Sequence, residues 1–560
     1  MTVILGITHP ISQDNGACLL IDGRLVAMAE EERFARIKFA PRMFPKQAII
    51  FCLEKAGITW QDVDYVAVGF DKFLKNIIPN LTGQPIVYGV LTAGFFTMHL
   101  TRHMFKIPRH ISEKKPFFIN HHLSHVNTAF YSSGFEHANI LSLDGSGGKN
   151  AGFLGYAEGT NIKNYHEISN SNSLGHVFSR ITRLLGFQPH ADEYKVMGLA
   201  SFGTPDPQGL PFIEWDTPIP SVNREKYRRY RRWVGHVVDP HNPMSKTSQD
   251  IAATAQASLE KVVLRMLEWT VQKTTSRNVC VSGGVALNCA MNGTLLRSGL
   301  IDHIYIHPSS WDSGTALGAA IQVHLDKKGE KPDIGFTHPY WGPEYHHDDI
   351  EAALVKCNVS KYRYVENVCK ETANMLAANK IIGWFQGRLE VGPRALGHRS
   401  ILANPKNPDM KDQINIKVKG REPWRPFAPS ILEEYAPAYL ENFFHSPYMT
   451  LTFQVKPEKI HEMVSATHVD GTARPQTVSQ AVNLRFWTLI DEFRKLTGVP
   501  VLLNTSFNLS DEPIVCSPED ALRTFYRCGM DCLVLGNYIV EKTEHDYNGA
   551  PLLQKQSYNR

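Results

Sequence analysis

The pattern that most restricts how this chain can fold is a strand, turn and strand plan that occurs twice. Thr2 to Ile7 alternates as a strand, His9 to Gly16 (HPISQDNG) supplies turn residues, and Ala17 to Glu32 returns as two further strands with Asp22-Gly23 as the hairpin turn. A helix over Pro45 to Ala56 and a strand over Val63 to Phe70 follow. From Ala138 the plan repeats as strand ANILSLD, turn GSGGKN and strand AGFLGYAEG. One copy carries Asp14-Asn15-Gly16 and the other Asp144 to Gly148, which predicts paired α/β lobes with a phosphate or activated nucleotide between them. Gly-rich turns let backbone N–H groups approach an anion closely, although most Asp-Gly turns are simple hairpins. Val279 to Asn292 (VCVSGGVALNCAMN) adds a buried strand, Gly283-Gly284 and a helix entry at Asn288, a turn that presents helix N-terminal donors to an anion.

At 560 residues the chain exceeds one ordinary core, so two or three domains are expected. Asp326 to Tyr345 (DKKGEKPDIGFTHPYWGPEY) concentrates Gly, Pro and charge and places a boundary between domains 1–345 and 346–560. Beyond it a helix at Asp348 to Lys356 and strands at Ile381 to Phe385, Val499 to Leu503 and Cys532 to Leu535 describe a second α/β domain. With 43% hydrophobic and 20% charged residues the composition is that of a soluble globular enzyme. A formal charge of +4 gives no electrostatic reason to expect nucleic acid. Nine scattered cysteines suit reduced thiols in a cytoplasm, and Met1 leads straight into a strand without a basic leader. The apolar run Pro85 to Leu100 is too short and too interrupted to span a bilayer, and reads as a buried or substrate-side helix. Pro205 to Pro243 is irregular and contains REKYRRYRRW (Arg224 to Trp233), either an exposed helix or loop, or an insert that shapes an acceptor pocket. Ser248 to Thr275 reads as a long amphipathic helix with an Ala-rich core face.

Two stretches carry chemistry. Gly383 to Ser430 holds nine Lys or Arg against four acids, mixed with Gly, Pro and aromatic residues that fix backbone turns. That mixture suits a rigid anion pocket, because arginine grips phosphate or carboxylate at two points and lysine adds a compact charge. A solvated basic face or a nucleic-acid patch is the competing reading, but apolar residues and prolines interrupt the charges too often for a plain strip. In Asn120 to His125 (NHHLSH), His121 and His125 stand four apart, so on a helix both rings leave one face and can close on a metal. Such a pair by itself more often serves packing than ligation.

GRLEVGPRALGHRS, KVKGREPWRPFAPS, RPQTV (Arg474 to Val478) and LNTSFN (Leu503 to Asn508), in this order, resemble the NodU/CmcH family of carbamoyltransferases. The resemblance implies a two-lobed actin-like ATPase fold (ASKHA, TsaD-like) in the N-terminal domain and a YrdC-like α/β C-terminal domain. In the family pattern His121, His125, Asp144 and Asp312 hold a metal, and mixed imidazole and carboxylate ligation favours Fe(II), with Mn(II) and Zn(II) as the other candidates. Arg394, Lys419, Arg425, Arg474, Asn504 and Ser506 fall on family positions that bind carbamoyl phosphate and ATP, the latter with Mg. Lys195 (in EYKVMGLASFG), Gly283, Gly284 and Asn288 fall on further nucleotide-site blocks.

The implied reaction has two steps. Carbamoyl phosphate yields carbamate, which attacks ATP to give carbamoyl adenylate and pyrophosphate; the carbamoyl group then passes, at the metal site, to a hydroxyl of a small natural product or sugar. No nucleic-acid or membrane partner is expected, and a homodimer is compatible with the sequence. One departure stands out: the family commonly carries His-Asp where this chain has Gln13-Asp14, and glutamine cannot accept the hydroxyl proton, which leaves His9 in the same turn, the acceptor or a water as base. An actin-like kinase would leave the C-terminal anion pocket without purpose. A tRNA-modifying protein should bind RNA with a steep salt dependence.

Overall fold

The computed structural model describes residues 1–10, 12–71, 114–214 and 219–543. The run Pro85 to Leu100 lies outside the described residues. Two compact units form, one within Met1–Phe336 with Thr450–Thr452 added, the other from Thr337 with Arg36–Lys38 added. The division falls between Phe336 and Thr337, inside the Asp326 to Tyr345 stretch but before its end. Phe336 packs on the His307 ring of the first unit (centroids 4.3 Å apart), whereas Tyr340 already stacks on His398 of the second (3.8 Å).

In the first unit, β1 (Val3–Ile7), β2 (Gly16–Ile21), β3 (Arg24–Glu30), β4 (Tyr65–Val68) and β5 (Phe117–Phe118) form one sheet in the order β3-β2-β1-β4-β5. Asp22 (φ 47°) and Gly23 (φ 79°) both take positive φ, the conformation a tight hairpin between right-twisted strands demands. Val3, Leu5 and Ile7 point to one side and bury with Ala48, Ile49 and Cys52 of the helix Lys46–Lys55, as a strand period of two requires.

A second sheet contains β6 (His137–Gly147), β7 (Asn150–Glu158) and β8 (Asn161–Ser169). A short ribbon, β9 (Ile213–Glu214) with β10 (Ser221–Val222), precedes its last members, β11 (Asn278–Ser282) and β12 (His303–Tyr305). Its order, β8-β7-β6-β11-β12, repeats the first sheet: three antiparallel strands in sequence, then two parallel to the first. This duplicated order gives the unit two lobes of like topology, as the paired strand plans predict. The helix Lys246–Thr274 lies along the second sheet and buries Ile251, Ala252, Ala255, Leu259, Val263 and Met266, so its small-residue face lets the backbone approach β6 and β7. The run REKYRRYRRW folds as an exposed helix, Arg224–Val237, with Val234 buried.

The second unit is built on β13 (Tyr362–Tyr364), β14 (Ile382–Phe385), β15 (Arg399–Ala403), β16 (Ala428–Leu432), β17 (Phe453–Gln454), β18 (Thr472–Ala473), β19 (Gln476–Val478), β20 (Val501–Ser506), β21 (Cys532–Leu535) and β22 (Tyr538–Glu541). Eight of these form a mixed sheet, β13-β22-β21-β14-β15-β20-β16-β19, and β17 pairs with β18. Phe385, Ile401, Leu503, Phe507 and Leu533 bury with Ile350 and Leu354 of the helix His347–Lys356 and Leu522 and Phe525 of the helix Pro518–Tyr526. All nine cysteines are free thiols. Among the described residues no helix is long and apolar enough to cross a membrane.

Candidate active site

The first unit gathers His121, His125, Asp144 and Asp312, whose ligand atoms all lie within 4.8 Å of one another. The Asn120 side chain accepts from Leu123 N (2.9 Å) and starts the helix His121–Ser133, so the two histidines occupy its first turns on one face. Their Nε2 atoms are 3.1 Å apart, His121 Nε2 lies 3.0 Å from Asp144 and 3.6 Å from Asp312, and His125 Nε2 lies 3.4 Å and 3.7 Å from the same carboxylates. Ligands of one ion with bonds near ~2.1 Å stand about 3.0 to 3.4 Å apart, so this donor set fits a single divalent cation.

Surrounding bonds aim the donors. His121 Nδ1 faces the Gly69 carbonyl at 3.3 Å, which orients the ring with Nε2 toward the cluster. Asp144 Oδ1 accepts from Gly145 N (2.7 Å) and Gly284 N (3.2 Å), which leaves Oδ2 for the cluster. A Cβ on Gly147 would stand 2.2 Å from the His121 ring, so only glycine fits there. His122 turns away, with Nε2 2.8 Å from the Asn150 carbonyl. Burial alone would raise the Asp144 carboxyl, yet bonds from His121 and His125 hold it well below the usual range. Burial opposes charge on His125, and bonds to Asp144 and Asp312 outweigh it, lifting the imidazole to about 9.

The sequence places Asp144 at the end of a strand, with the turn starting at Gly145. Instead β6 continues to Gly147, with a pairing irregularity against β7 between Leu143 and Gly147 that displaces Asp144 from regular register. In the first loop, Asn15 accepts from Thr8 Oγ1 and donates to the Ser12 and Ala40 carbonyls, so its amide locks the loop. Gln13 is exposed and donates its backbone N–H to Asp312 Oδ2 (3.3 Å). His9 is buried, its ring 5.2 Å from Phe70, and burial followed by the nearby His121 lowers it to about 4. Beside them Asp14, which the sequence placed in the first loop without a role, has a buried Oδ1 and is raised well above the carboxylate range, by burial first and then by Asp312, Glu32 and Glu30.

Gly283 (φ 87°) and Gly284 follow β11, so the predicted turn borders Asp144. Asn288 caps the helix Cys289–Arg297 by accepting from Met291 N (3.0 Å) and exchanges amide bonds with Gln256, so part of its polarity is structural. Lys195, in the helix Glu193–Ala200, pairs with Asp192 (3.3 Å) and lies over the Phe187 ring (5.5 Å).

In the second unit Lys419 is 3% exposed at the end of a π-helical turn, Ile414–Lys419. Its ammonium donates to the Ser506 carbonyl, to Ser506 Oγ (3.3 Å) and to the Asn508 carbonyl and Oδ1 (2.9 Å each). Every one of these partners is neutral. Burial, then Arg421 and Arg425, push Lys419 well below the usual lysine range. Asn504 donates to the Ala395 carbonyl (3.2 Å), Ser430 Oγ (2.9 Å) and Gln476 Oε1 (3.2 Å), so strand β20 is tied to the residue after Arg394 and to the strand that follows Arg474. Arg394 and Arg474 are half-buried in the loops that enter this network, and Arg425 lies 3.6 Å from Glu422.

Two other cations of the basic stretch are spent on structure. Arg399 lies over the Phe385 ring (3.6 Å) and donates to the Gln386, Gly387 and Pro343 carbonyls; Arg388 donates to the Gly342 and Trp341 carbonyls. Glu390 was missed by the sequence reading. It is fully buried and accepts from the N–H groups of Leu396, His398 and Arg399, so one carboxylate shapes the Arg394 loop. A single acid inside a basic, Gly-rich loop was the available signal.

The family described as Carbamoyltransferase N-terminus matches residues 3–321, and that described as Carbamoyltransferase C-terminus matches residues 373–542. Nodulation protein NolNO of Sinorhizobium fredii is 37% identical over 557 residues, covering 96% of this chain and 80% of the relative. Nodulation protein NolO of Bradyrhizobium diazoefficiens is 38% identical over 437 residues, covering 76% and 79%. Among solved structures, full-length HypF in its phosphate- and nucleotide-bound form aligns with 59% of this chain and 56% of its own length at 12% identity and a TM-score of 0.40. With the two halves of one enzyme family matched in order along a single polypeptide, the chain belongs to the NodU/CmcH carbamoyltransferases.

Proposed function

We propose that this carbamoyltransferase is ATP-dependent and acts on an alcohol in two stages. In the second unit carbamoyl phosphate loses its phosphate to water, and an oxygen of the resulting carbamate attacks the α-phosphorus of Mg-bound ATP, expelling pyrophosphate and leaving carbamoyl adenylate. Lys419, Arg394, Arg425 and Arg474 hold two anionic reactants that would otherwise repel, while Asn504 and Ser506 orient them. The observation that carries this reading is Lys419, a buried ammonium held only by neutral oxygens of Ser506 and Asn508, which a phosphate or carboxylate oxygen would complement.

In the first unit the acceptor hydroxyl attacks the carbamoyl carbon, its proton leaves, and AMP departs with the bonding electrons. His121, His125, Asp144 and Asp312 would hold a divalent metal, Fe(II) by ligand type, which when bound polarises a carbonyl or phosphate oxygen. His9, kept neutral by burial, is the proposed base in place of the absent first-loop histidine. Gly283 and Gly284, which lie against Asp144, would with Asn288 and Lys195 hold the adenylate. Incubation with ATP and carbamoyl phosphate tests the reading: pyrophosphate release, and the mass of one carbamoyl group on a hydroxylated acceptor, are expected. Formation of ADP with a phosphorylated acceptor would replace it with a kinase.

A further inference from the structure

Beyond the cluster itself, one helix leads away from it and presents cations. Ser173 caps the helix Leu174–Leu184, accepting from His176 N (3.0 Å) while donating to the Asp144 carbonyl (2.8 Å). Gly175 meets Asp144 and Gly145 so closely that a Cβ there would stand 2.7 Å from Gly145 N, so the first turn of this helix is pressed against a metal-ligand segment. Leu174, Val177, Phe178 and Ile181 are buried. His176, Arg180 and Arg183, at spacings of four and three, occupy the other face and lead outward by about one helical turn of ~5.4 Å at a time.

Arg180 is half-buried with its guanidinium 5.2 Å from the Tyr227 ring. Tyr227 belongs to the helix Arg224–Val237, whose Tyr227 and Tyr230 pack on Phe212 (5.2 Å each) and fix which side faces out. That outer side carries Arg224, Arg228, Arg231 and Arg232, all exposed. Arg229 pairs with Glu225, and Lys226 pairs with Glu214. For Arg180, Arg183, Arg224, Arg228, Arg231 and Arg232, no carboxylate lies within ion-pair distance among the described residues. The nearby Glu193 is engaged by Ser179 Oγ and the His190 N–H. A line of guanidinium groups with no carboxylate partner among the described residues therefore begins at Arg180, about two helical turns past the Ser173 cap on Asp144, and continues onto the basic helix.

Asp144 is flanked on two sides, by Gly284 N and by the helix Leu174–Leu184, whose Ser173 cap and Gly175 pack directly on Asp144 and Gly145. The proposed adenylate side uses the first. We propose that the second receives the acceptor, and that this acceptor is a phosphate-bearing alcohol whose phosphate is gripped by Arg180, with the arginines of Arg224–Val237 reading further phosphate beyond it. The assignment rests on the carbamoyl transfer proposed above. Guanidinium groups without carboxylate partners suit phosphate oxygens, which they bind in two-point fashion.

Three probes share the non-anomeric hydroxyls of one sugar: N-acetylglucosamine, N-acetylglucosamine 1-phosphate and UDP-N-acetylglucosamine. Each is incubated with the full chain, ATP and carbamoyl phosphate, and carbamoyl products are followed by mass while pyrophosphate is measured without acceptor. The expected result is a kcat/KM at least ~10-fold higher for a phosphate-bearing probe than for the neutral sugar. Arg180→Gln should remove that preference through KM, with kcat little changed. The double variant Arg228→Gln/Arg232→Gln should weaken UDP-N-acetylglucosamine more than the monophosphate, which distinguishes a nucleoside diphosphate source from a simple sugar phosphate.

Equal use of the neutral sugar, an equal loss for all probes on Arg180→Gln, or no product from either phosphate-bearing probe while pyrophosphate is released would overturn the proposal alone. Absence of pyrophosphate release would overturn the two-stage reading as well.

Discussion

The two units solve opposite electrostatic problems. In the first, two imidazole nitrogens and two carboxylates converge with no lysine or arginine in ion-pair range of Asp144 or Asp312 among the described residues, so the group has electron pairs to donate. In the second, a buried lysine is surrounded by neutral carbonyl, hydroxyl and amide oxygens, so no carboxylate competes with an incoming anion for its charge. One arrangement suits a cation and the other an anion. A reaction that first joins two anions and then delivers a carbonyl to an alcohol needs both.

The sharpest way to break this contrast is to remove the lone pairs. His121→Ala/His125→Ala should lose the bound metal, measured by elemental analysis, and lower acceptor carbamoylation by roughly 10³-fold or more, while pyrophosphate release stays within about two-fold. If both activities fell together, the division of labour would be wrong. The converse change, Lys419→Met, should lower pyrophosphate release by roughly 10²- to 10³-fold, the scale of losing one fixed charge-stabilising donor. Transfer from chemically supplied carbamoyl adenylate should survive that change.

His9→Asn should lower transfer by about 10²-fold without touching pyrophosphate release, the low end of general-base contributions. Unchanged transfer would return the proton to the acceptor or a water.

The smallest effect sharpens the second unit alone. Lys419 is pushed well below the usual lysine range, chiefly by burial, and a bound dianion would raise it again. Between the free and bound values, carbamoyl phosphate binding should take up a fraction of one proton, and affinity should weaken as pH rises through that window. Calorimetry in two buffers of different ionisation enthalpy measures the uptake. Binding with no proton exchange would mean Lys419 is charged beforehand.

Much of this arrangement was readable in advance, for reasons that differ by residue. The strand plans at Thr2 and Ala138 emerged because local alternation and turn chemistry agree with the final sheets. His121 and His125 were readable because helical spacing is local. Asp144 and Asp312 were not, since only tertiary structure brings them together, and they were reached through family resemblance. Gly145, Ser146 and Gly147 have turn composition, yet Gly147 pairs with Asn150 of β7 and carries the strand across the irregularity at Gly145 and Ser146. Charge counting treated the cations of Gly383 to Ser430 alike, whereas Arg388 and Arg399 are consumed by backbone carbonyls that only the folded loops supply. The helix Arg224–Val237 shows Tyr227, Tyr230 and Val234 at helical spacing, but which side faces out depended on Phe212, distant in sequence from none of them yet invisible as a partner.

The duplicated sheets have a mechanical consequence. Asp144 belongs to β6 of one sheet, while Asp312 leads into the helix Thr315–Lys328, whose Ala316 carbonyl lies against Gly6 of β1 in the other. An ion shared by these carboxylates would act as a rivet across the seam between the halves. Its occupancy should add about 2.7 kcal/mol to the unit at a free concentration one hundred times its dissociation constant. Chelation should then quicken amide exchange in β1 and β6 in concert, turning a catalytic ingredient into a fastener.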